Sequence, residues 1–139
     1  IAVPEDSKVT RFDDLKPLRV GVQIGTTGDE AVSKLLGKTS AKVKRFESTP
    51  LALKELESGG LDAVVADNGV IAHYLAHNSG PKFKAVSDAG FVPEQYGLVV
   101  KKGNAELLAK LNQGLAAIRA DGSLARIHAQ YFGAAPQAR

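Results

Sequence analysis

The sequence LRVGVQIGTTGDEAVSKLL, residues 18–36, decides the fold. Its first part, residues 18–24, is a nearly continuous apolar run, which is typical of a buried strand. In residues 28–36 the apolar positions recur at helical spacing, and Gly37 is a helix terminator. A strand joined to a helix by a turn of a few residues is the unit from which α/β sheets are built.

The same unit recurs along the chain. Further strands are predicted at residues 41–46 (AKVKRF), 61–66 (LDAVVA) and 82–87 (KFKAVS), and further helices at residues 50–58 (PLALKELES) and 68–77. This alternation predicts an α/β fold with a flavodoxin-like parallel sheet and helices on both faces. With strands numbered as they follow one another, the expected order in the sheet is 2-1-3-4.

The last third of the chain has a different pattern. Residues 96–101 (YGLVVK) read as a strand, residues 104–120 as a long amphipathic helix, and residues 123–132 as a second helix. We expect a boundary within residues 92–95. The predicted organisation is one unit at residues 1–92, a second at residues 93–133, and a frayed tail at residues 134–139.

Composition excludes several classes of function. The 139 residues are 44% hydrophobic and 24% charged, as in an ordinary globular domain, and they contain no cysteine. A thiol nucleophile, a disulfide and a cysteine-ligated metal are therefore excluded. The net charge of +3 is carried by scattered basic residues, and aromatic residues make up only 6%, so nucleic-acid binding is disfavoured. We expect the basic run at residues 42–45 and the Lys101-Lys102 pair to be solvated.

The turn after the first strand is a candidate anion site. Gly25-Thr26-Thr27-Gly28 supplies two hydroxyls and two glycines at the start of a helix, where backbone N–H groups and the helix dipole favour a carboxylate. The alternative is simple helix capping, because Thr27 and Glu30 fit the capping-box pattern.

Two more polar residues lie at strand ends that should meet the same turn. Asp67 follows the third strand and can hold an ammonium group, or it can cap the next helix. Gln23 is polar within an apolar strand, so it either lines a ligand pocket or faces outward. An anion site beside a carboxylate matches the two charges of a free α-amino acid.

Catalytic and cofactor motifs are weak by comparison. His73 and His77 have the i, i+4 spacing of metal ligands, but we expect them to be solvated, and no metal site is predicted. No serine lies in a G-x-S-x-G elbow, and neither G-x-G-x-x-G nor a phosphate-binding loop occurs. We therefore expect no cofactor and no enzymatic activity.

Several segments resemble one known family. Residues 19–28 (RVGVQIGTTG), 61–67 (LDAVVAD) and 95–100 (QYGLVV), with the pattern of the two C-terminal helices, are similar to the second lobe and C-terminal segment of periplasmic polar amino-acid-binding proteins. These are the type II solute receptors of ABC importers. The resemblance implies roles, listed as follows: the ligand carboxylate on Thr26, Thr27 and Gly28, its ammonium on Asp67, its side chain near Gln23, and a hinge at Gln95 and Tyr96.

The resemblance has a large departure, since the family's first lobe precedes this point and residues 1–7 look like the strand after the first crossover. It implies that residues 1–92 are lobe two, that residues 93–133 pack with lobe one, and that the isolated chain binds weakly or not at all. It also implies a periplasmic location, with the signal peptide absent, an ABC permease as partner, and a domain-swapped homodimer as one way to cover the apolar helix face.

Two further functions stay open on the same scaffold. One is an enzyme similar to cyclohexadienyl dehydratases, in which Asp67, or more distantly Asp29 or Glu30, would supply the acid. The other is an effector-sensing regulatory domain, although no DNA-binding helix-turn-helix pattern is visible in these residues.

Overall fold

The structure is a computed structural model that describes residues 1–78, 83–91 and 94–132. The chain divides into two compact units, Ile1–Phe91 and Val92–Arg139. The strands of the first unit are β1 (Ala2–Pro4), β2 (Val20–Gln23), β3 (Val43–Phe46), β4 (Ala63–Val65) and β5 (Phe83–Ala85). Its helices are a short 3-10 helix (Phe12–Leu15), α1 (Thr27–Leu36), α2 (Thr49–Glu57) and α3 (Asn68–His77).

The five strands form one mixed sheet with the order β3-β2-β4-β1-β5. β2 pairs in parallel with both β3 and β4, which confirms the predicted centre of the sheet. The predicted place of β5 beside β4 is wrong, because β1 lies between them and runs antiparallel to both. β1 has only three residues and ends at Pro4, so it is too short to show the alternation by which strands are recognised.

Both faces of the sheet are covered by helices, as predicted. On one face α1 contributes Val32, which packs with Val20, Val22 and Val43 of the strands. The other face is covered by α2 and α3, whose buried apolar residues are Ala52, Leu53, Leu56 and Ile71. Each large aliphatic side chain buried in these layers contributes about 1.5–3 kcal/mol.

Gly21, in the middle of β2, is required by close packing. A Cβ at this position would collide with the side chain of Leu61 and come within 3.4 Å of the Cβ of Ala52. The glycine therefore lets α2 and Leu61, two residues before β4, pack directly on β2.

The second unit contains α4 (Ala105–Ala120) and α5 (Ser123–Phe132). Asn104 caps α4 through its side-chain oxygen, which accepts a hydrogen bond from the N–H of Leu107 at 3.2 Å. The predicted strand at residues 96–101 is wrong: this β-prone segment is largely exposed and pairs with no strand of the described residues. Residues 92 and 93 and the predicted tail at residues 134–139 lie outside the described residues.

Neither α4 nor α5 has a buried residue, and Leu107, Leu108 and Ile127 are each more than 40% exposed. Across the described ranges, no helix combines the length and the hydropathy that crossing a membrane requires.

Candidate functional site

A small cleft lies at the carboxyl ends of β2 and β4. Its volume is about 60 Å³, and it is lined by Gln23, Thr26, Thr49, Ala66, Asp67 and Val70. The helices α1, α2 and α3 all begin beside it. The structure thus brings together three of the predicted site residues, Gln23, Thr26 and Asp67, at the edge of the sheet where parallel α/β folds bind ligands.

A larger groove of about 360 Å³ lies elsewhere on the first unit, lined by Pro4, Asp6, Ser7, Leu18, Arg19, Gly59, Leu61 and Asp62. Its Arg19 and Asp62 already bind each other, with Nη2 of Arg19 2.7 Å from a carboxylate oxygen. The small cleft is the better candidate because its polar groups converge from three helix starts.

Thr26 shapes the turn that leads into α1. Its hydroxyl oxygen accepts a hydrogen bond from the N–H of Asp29 at 3.2 Å, and the hydroxyl donates to the carbonyl of Gln23 at 2.8 Å. The predicted capping box of Thr27 and Glu30 is wrong by one position, because α1 begins at Thr27 and Thr26 is the cap. The hydroxyl of Thr26 is engaged by the turn, so an anion at this position meets backbone N–H groups.

Gly28 allows a close approach between α1 and β4. A Cβ at this position would lie 3.2 Å from the carbonyl oxygen of Val65, tighter than an ordinary contact. The first backbone hydrogen bond of the helix joins the N–H of Glu30 to the carbonyl of Thr26 at 3.1 Å, so the N–H of Gly28 precedes the intrahelical series. The positive end of α1 consequently lies beside the end of β4, where Asp67 follows.

Asp29 and Arg45 form an ion pair behind this turn. Nε of Arg45 is 2.9 Å and 3.1 Å from the two carboxylate oxygens of Asp29. The same carboxylate accepts from the N–H of Gly25 at 3.2 Å and from the hydroxyl of Ser33 at 3.0 Å. Burial alone would raise the pKa of Asp29, but the hydrogen bonds from Arg45, Gly25 and Ser33 outweigh it and lower the pKa.

The Asp29–Arg45 pair was not predicted from the sequence. Arg45 is exposed, in line with the expectation for residues 42–45, but its guanidinium is partly covered by the ion pair. The guanidinium also donates to the hydroxyl of Ser33 at 2.7 Å and to the carbonyl of Lys38 at 3.1 Å. Arg45 is two residues from buried Val43, so strand alternation places both on the α1 face of the sheet. That alternation was the signal available in the sequence.

Gln23 is half-buried at the end of β2, and the alternative of an outward-facing residue is wrong. Its Oε1 accepts hydrogen bonds from the backbone N–H of Thr49 at 3.2 Å and from the hydroxyl of Thr49 at 3.1 Å. Thr49 itself is buried, with 5% of its surface exposed. Sequence reasoning missed Thr49, although it follows β3 at the same edge of the sheet.

Asp67 immediately precedes α3 and is exposed at the cleft. It occupies the N-cap position, but its side chain does not make the capping hydrogen bond to the first turn. Asp67 therefore occupies the cap position that the alternative predicted, but its side chain does not make the hydrogen bond of a cap. A carboxylate at this place adds negative charge beside the positive starts of α1 and α3.

The remaining candidates lie away from this cleft. His73 and His77 are exposed, as expected, and Nδ1 of His77 is 2.8 Å from the carbonyl oxygen of His73. The parts of the chain that the structure describes contain no group of three or more side chains able to hold a metal ion. Gln95 and Tyr96 are exposed in the second unit, and their hinge role stays a prediction.

Comparison with known proteins identifies the family. The model of the bacterial extracellular solute-binding proteins, family 3, matches residues 1–134. A probable histidine-binding protein of Neisseria gonorrhoeae is 45% identical over 133 residues, which are 95% of this chain and 50% of that protein. An L-arginine-binding protein of Pseudomonas aeruginosa is 36% identical over 124 residues, 86% of this chain and 48% of that protein.

Solved structures agree with the sequence relatives. The arginine-, lysine-, histidine-binding protein ArtJ of Geobacillus stearothermophilus superimposes with a TM-score of 0.80 at 38% identity, covering 98% of this chain and 58% of that one. This likeness confirms the predicted type II periplasmic binding fold. The chain spans about half the length of the curated relatives it matches. It belongs to the bacterial extracellular solute-binding proteins of family 3.

Proposed function

We propose that this chain forms one wall of the amino-acid site of a periplasmic receptor that serves an ABC importer. The observation that carries the proposal is the convergence of Asp67 and the starts of three helices on one cleft. The printed names of the relatives support the ligand class, because they describe histidine- and arginine-binding proteins.

In this proposal the ligand carboxylate lies at the start of α1. The backbone N–H groups of Thr27 and Gly28, reinforced by the helix dipole, receive it, while Thr26 holds the turn in shape. The close packing of Gly28 against Val65 keeps this helix end fixed next to β4. A rigid donor set of this kind binds a carboxylate without first having to be ordered.

The α-ammonium group of the ligand binds the carboxylate of Asp67. The two charged ends of an α-amino acid are a few ångströms apart, which suits an anion site and a carboxylate on adjoining turns. The side chain of the ligand then extends past Gln23 and Val70, which line the same cleft.

The affinity of this chain alone is expected to be weak. The cleft volume of about 60 Å³ is well below the ~300–1,000 Å³ typical of ligand pockets. The described residues therefore surround only part of an amino acid.

An enzymatic role on the same scaffold receives less support. A catalytic acid must hold its proton near neutral pH. Asp29 is ion-paired with Arg45 and its pKa is lowered, whereas a catalytic acid needs a raised pKa. Because Asp67 is assigned to the ligand ammonium group and the family is one of solute-binding proteins, we propose a binding module that does not catalyse a reaction on its ligand.

Exchange of α4 and α5 between two copies stays a prediction of this proposal. It is motivated by the half-exposed apolar side chains of these helices, among them Leu107, Leu108 and Ile127. Light scattering that gives the mass of a single chain at all concentrations would exclude it.

A thermal-shift screen tests the proposed ligand class. A ligand that binds only the folded protein stabilises it by about 1.4 kcal/mol when its concentration is ten times its Kd. We expect stabilisation by a free amino acid such as histidine, and none by the matching amine without a carboxylate or the matching acid without an amino group. Equal stabilisation by all three compounds would contradict a site for both charges.

A further inference from the structure

The amide of Gln23 has a fixed orientation. The backbone N–H of Thr49 can act only as a donor, so the atom 3.2 Å from it must be the side-chain oxygen of Gln23. The hydroxyl of Thr49 donates to the same oxygen at 3.1 Å. Thr49 is the first residue of α2, and Gln23 thereby caps one of the backbone N–H groups that a helix start leaves without an intrahelical acceptor.

This orientation determines which end of the amide is available. A carboxamide oxygen has two lone pairs, and both are used by Thr49. The nitrogen Nε2 carries two N–H donors, and within the described residues it has no hydrogen-bond partner. Because Gln23 lines the cleft, the group that it can offer a ligand is a pair of donors and not an acceptor.

We infer that Gln23, held by Thr49, makes this site prefer amino acids whose side chain carries a hydrogen-bond acceptor, such as a neutral imidazole or a carboxamide, over those whose side chain ends only in donors. The inference rests on the proposed function, since it concerns the ligand of the same cleft. A guanidinium or ammonium group facing Nε2 would leave donors on both sides without acceptors, and desolvated unpaired donors reduce affinity.

The ligand carboxylate does not fill this role in the proposed geometry. It is received at the start of α1, next to Gly28, and the ammonium group is received by Asp67. The side chain is the part of the ligand that remains to meet Gln23. A small amino acid without a polar side chain, such as alanine, therefore serves as the control for main-chain binding alone.

Solution NMR on the whole ¹⁵N-labelled chain reads the two parts of the site separately. The backbone amides of Gly28 and Asp67 report on main-chain binding, and the side-chain NH₂ of Gln23 reports on the ligand side chain. The exposed Gln113 on α4 supplies an internal reference. The ligands are histidine, glutamine, arginine, lysine and alanine, each titrated to tens of millimolar at a pH well above the imidazole pKa of about 6.5.

We expect every amino acid to shift the Gly28 and Asp67 amides, and only histidine and glutamine to shift the Gln23 NH₂. Histidine and glutamine should bind about tenfold more tightly than arginine and lysine, the change expected for one hydrogen bond gained against one donor left unpaired.

Two variants with uncharged side chains test whether the preference depends on the N–H donors of Gln23 and on the hydrogen bonds from Thr49 to its amide oxygen. Gln23→Met keeps the length of the side chain and removes the donors. Thr49→Val keeps the shape of Thr49 but removes one of the two hydrogen bonds that orient the amide. Gln23→Met should bring the affinity for histidine and glutamine down to that for arginine and lysine. Thr49→Val frees one lone pair of the amide oxygen to accept from a ligand donor, so it should narrow the difference between the two groups. Thermal melting shows whether each variant is folded.

The outcomes are distinct. If Gly28 and Asp67 shift but alanine moves the Gln23 NH₂ as much as histidine does, or arginine binds as tightly as histidine, the inference is overturned and the proposed function stands. If the preference survives in folded Gln23→Met, the inference is also overturned. If no amino acid shifts Gly28 or Asp67, the proposed function fails and the inference fails with it.

Discussion

Removing the carboxylate of Asp29 should destabilise the first unit through the turn that begins α1. The Asp29→Ala substitution deletes the acceptor for the N–H of Gly25, the hydroxyl of Ser33 and Nε of Arg45. The side chains of Asp29 and Arg45 are 12% and 28% exposed, so the pair lies between a buried and a surface ion pair.

The size of the loss follows from this intermediate burial. Breaking a fully buried ion pair costs about 3–5 kcal/mol, and an exposed pair contributes about 0–1 kcal/mol. The Arg45 guanidinium is partly solvated and keeps the hydroxyl of Ser33 and the carbonyl of Lys38 as acceptors. We therefore expect Asp29→Ala to lower the free energy of unfolding by about 2 kcal/mol.

Urea denaturation measures this loss, and Asp13→Ala is the matched control. Asp13 pairs with Lys16 at 2.8 Å, but both side chains are more than half exposed, so its removal should change stability by less than about 0.5 kcal/mol. If Asp29→Ala costs no more than Asp13→Ala, the ion pair does not hold the turn.

The pH dependence checks the charge of Asp29 separately. Its pKa is lowered in the folded protein, so the stability it adds is fully present above the ordinary aspartate pKa of about 3.9 and is lost as the pH falls through the lowered value. The difference in unfolding free energy between the parent and Asp29→Asn should therefore be constant near neutral pH and shrink in acid. A difference that grows in acid would have the wrong sign.

Three further changes test the packing around the cleft. Thr26→Ala removes the cap of α1 and should lower the free energy of unfolding by about 1 kcal/mol. Thr26→Ser keeps the hydroxyl and should lower it much less, so equal melting temperatures of the two variants would argue against the cap. Gly28→Ala places a Cβ 3.2 Å from the carbonyl of Val65, so it should cost about 1–3 kcal/mol and weaken ligand binding, which calorimetry and melting report together. Leu53→Ala removes a fully buried side chain of α2 and should lower the free energy of unfolding in urea by about 2–5 kcal/mol. A loss below about 1 kcal/mol would mean that neighbouring side chains move in to fill the cavity.

The parts of the fold that the sequence predicted are those with clear periodicity. β2, β3, β4 and the three helices of the first unit follow from apolar patterns and helix terminators, and the central order of strands follows from right-handed crossovers. β1 could not be placed from residues 1–7 alone, because its partners Val64 and Lys84 are distant in the chain.

The predicted strand at residues 96–101 shows how local propensity can mislead. The run YGLVV has high β propensity, but propensity forms a strand only where another strand supplies hydrogen-bond partners. The segment pairs with no strand of the described residues, and Val99 is 95% exposed.

Within the site, position was predictable and contacts were not. Gln23, Thr26 and Asp67 lie at one edge of the sheet, as strand ends in a parallel sheet require. The hydrogen bonds from Thr49 to Gln23 depend on the residue at which α2 begins, which the sequence pattern does not give to within one residue. For the same reason the capping box predicted for Thr27 and Glu30 was wrong: α1 begins at Thr27, one residue earlier than the box requires. The register Val22↔Arg45 brings Arg45 to Asp29, and register is a tertiary property that alternation alone leaves undetermined.

The amino-acid site is tested most directly by the charge partner of the ligand ammonium group. The measurement is the affinity of the parent, Asp67→Asn and the control Glu30→Gln for histidine and for the same molecule without its amino group, by NMR titration. We predict that the parent and Glu30→Gln bind histidine about tenfold more tightly than the deaminated compound, and that Asp67→Asn removes this difference while remaining folded. A folded Asp67→Asn protein that keeps the full preference for histidine would contradict the proposed site.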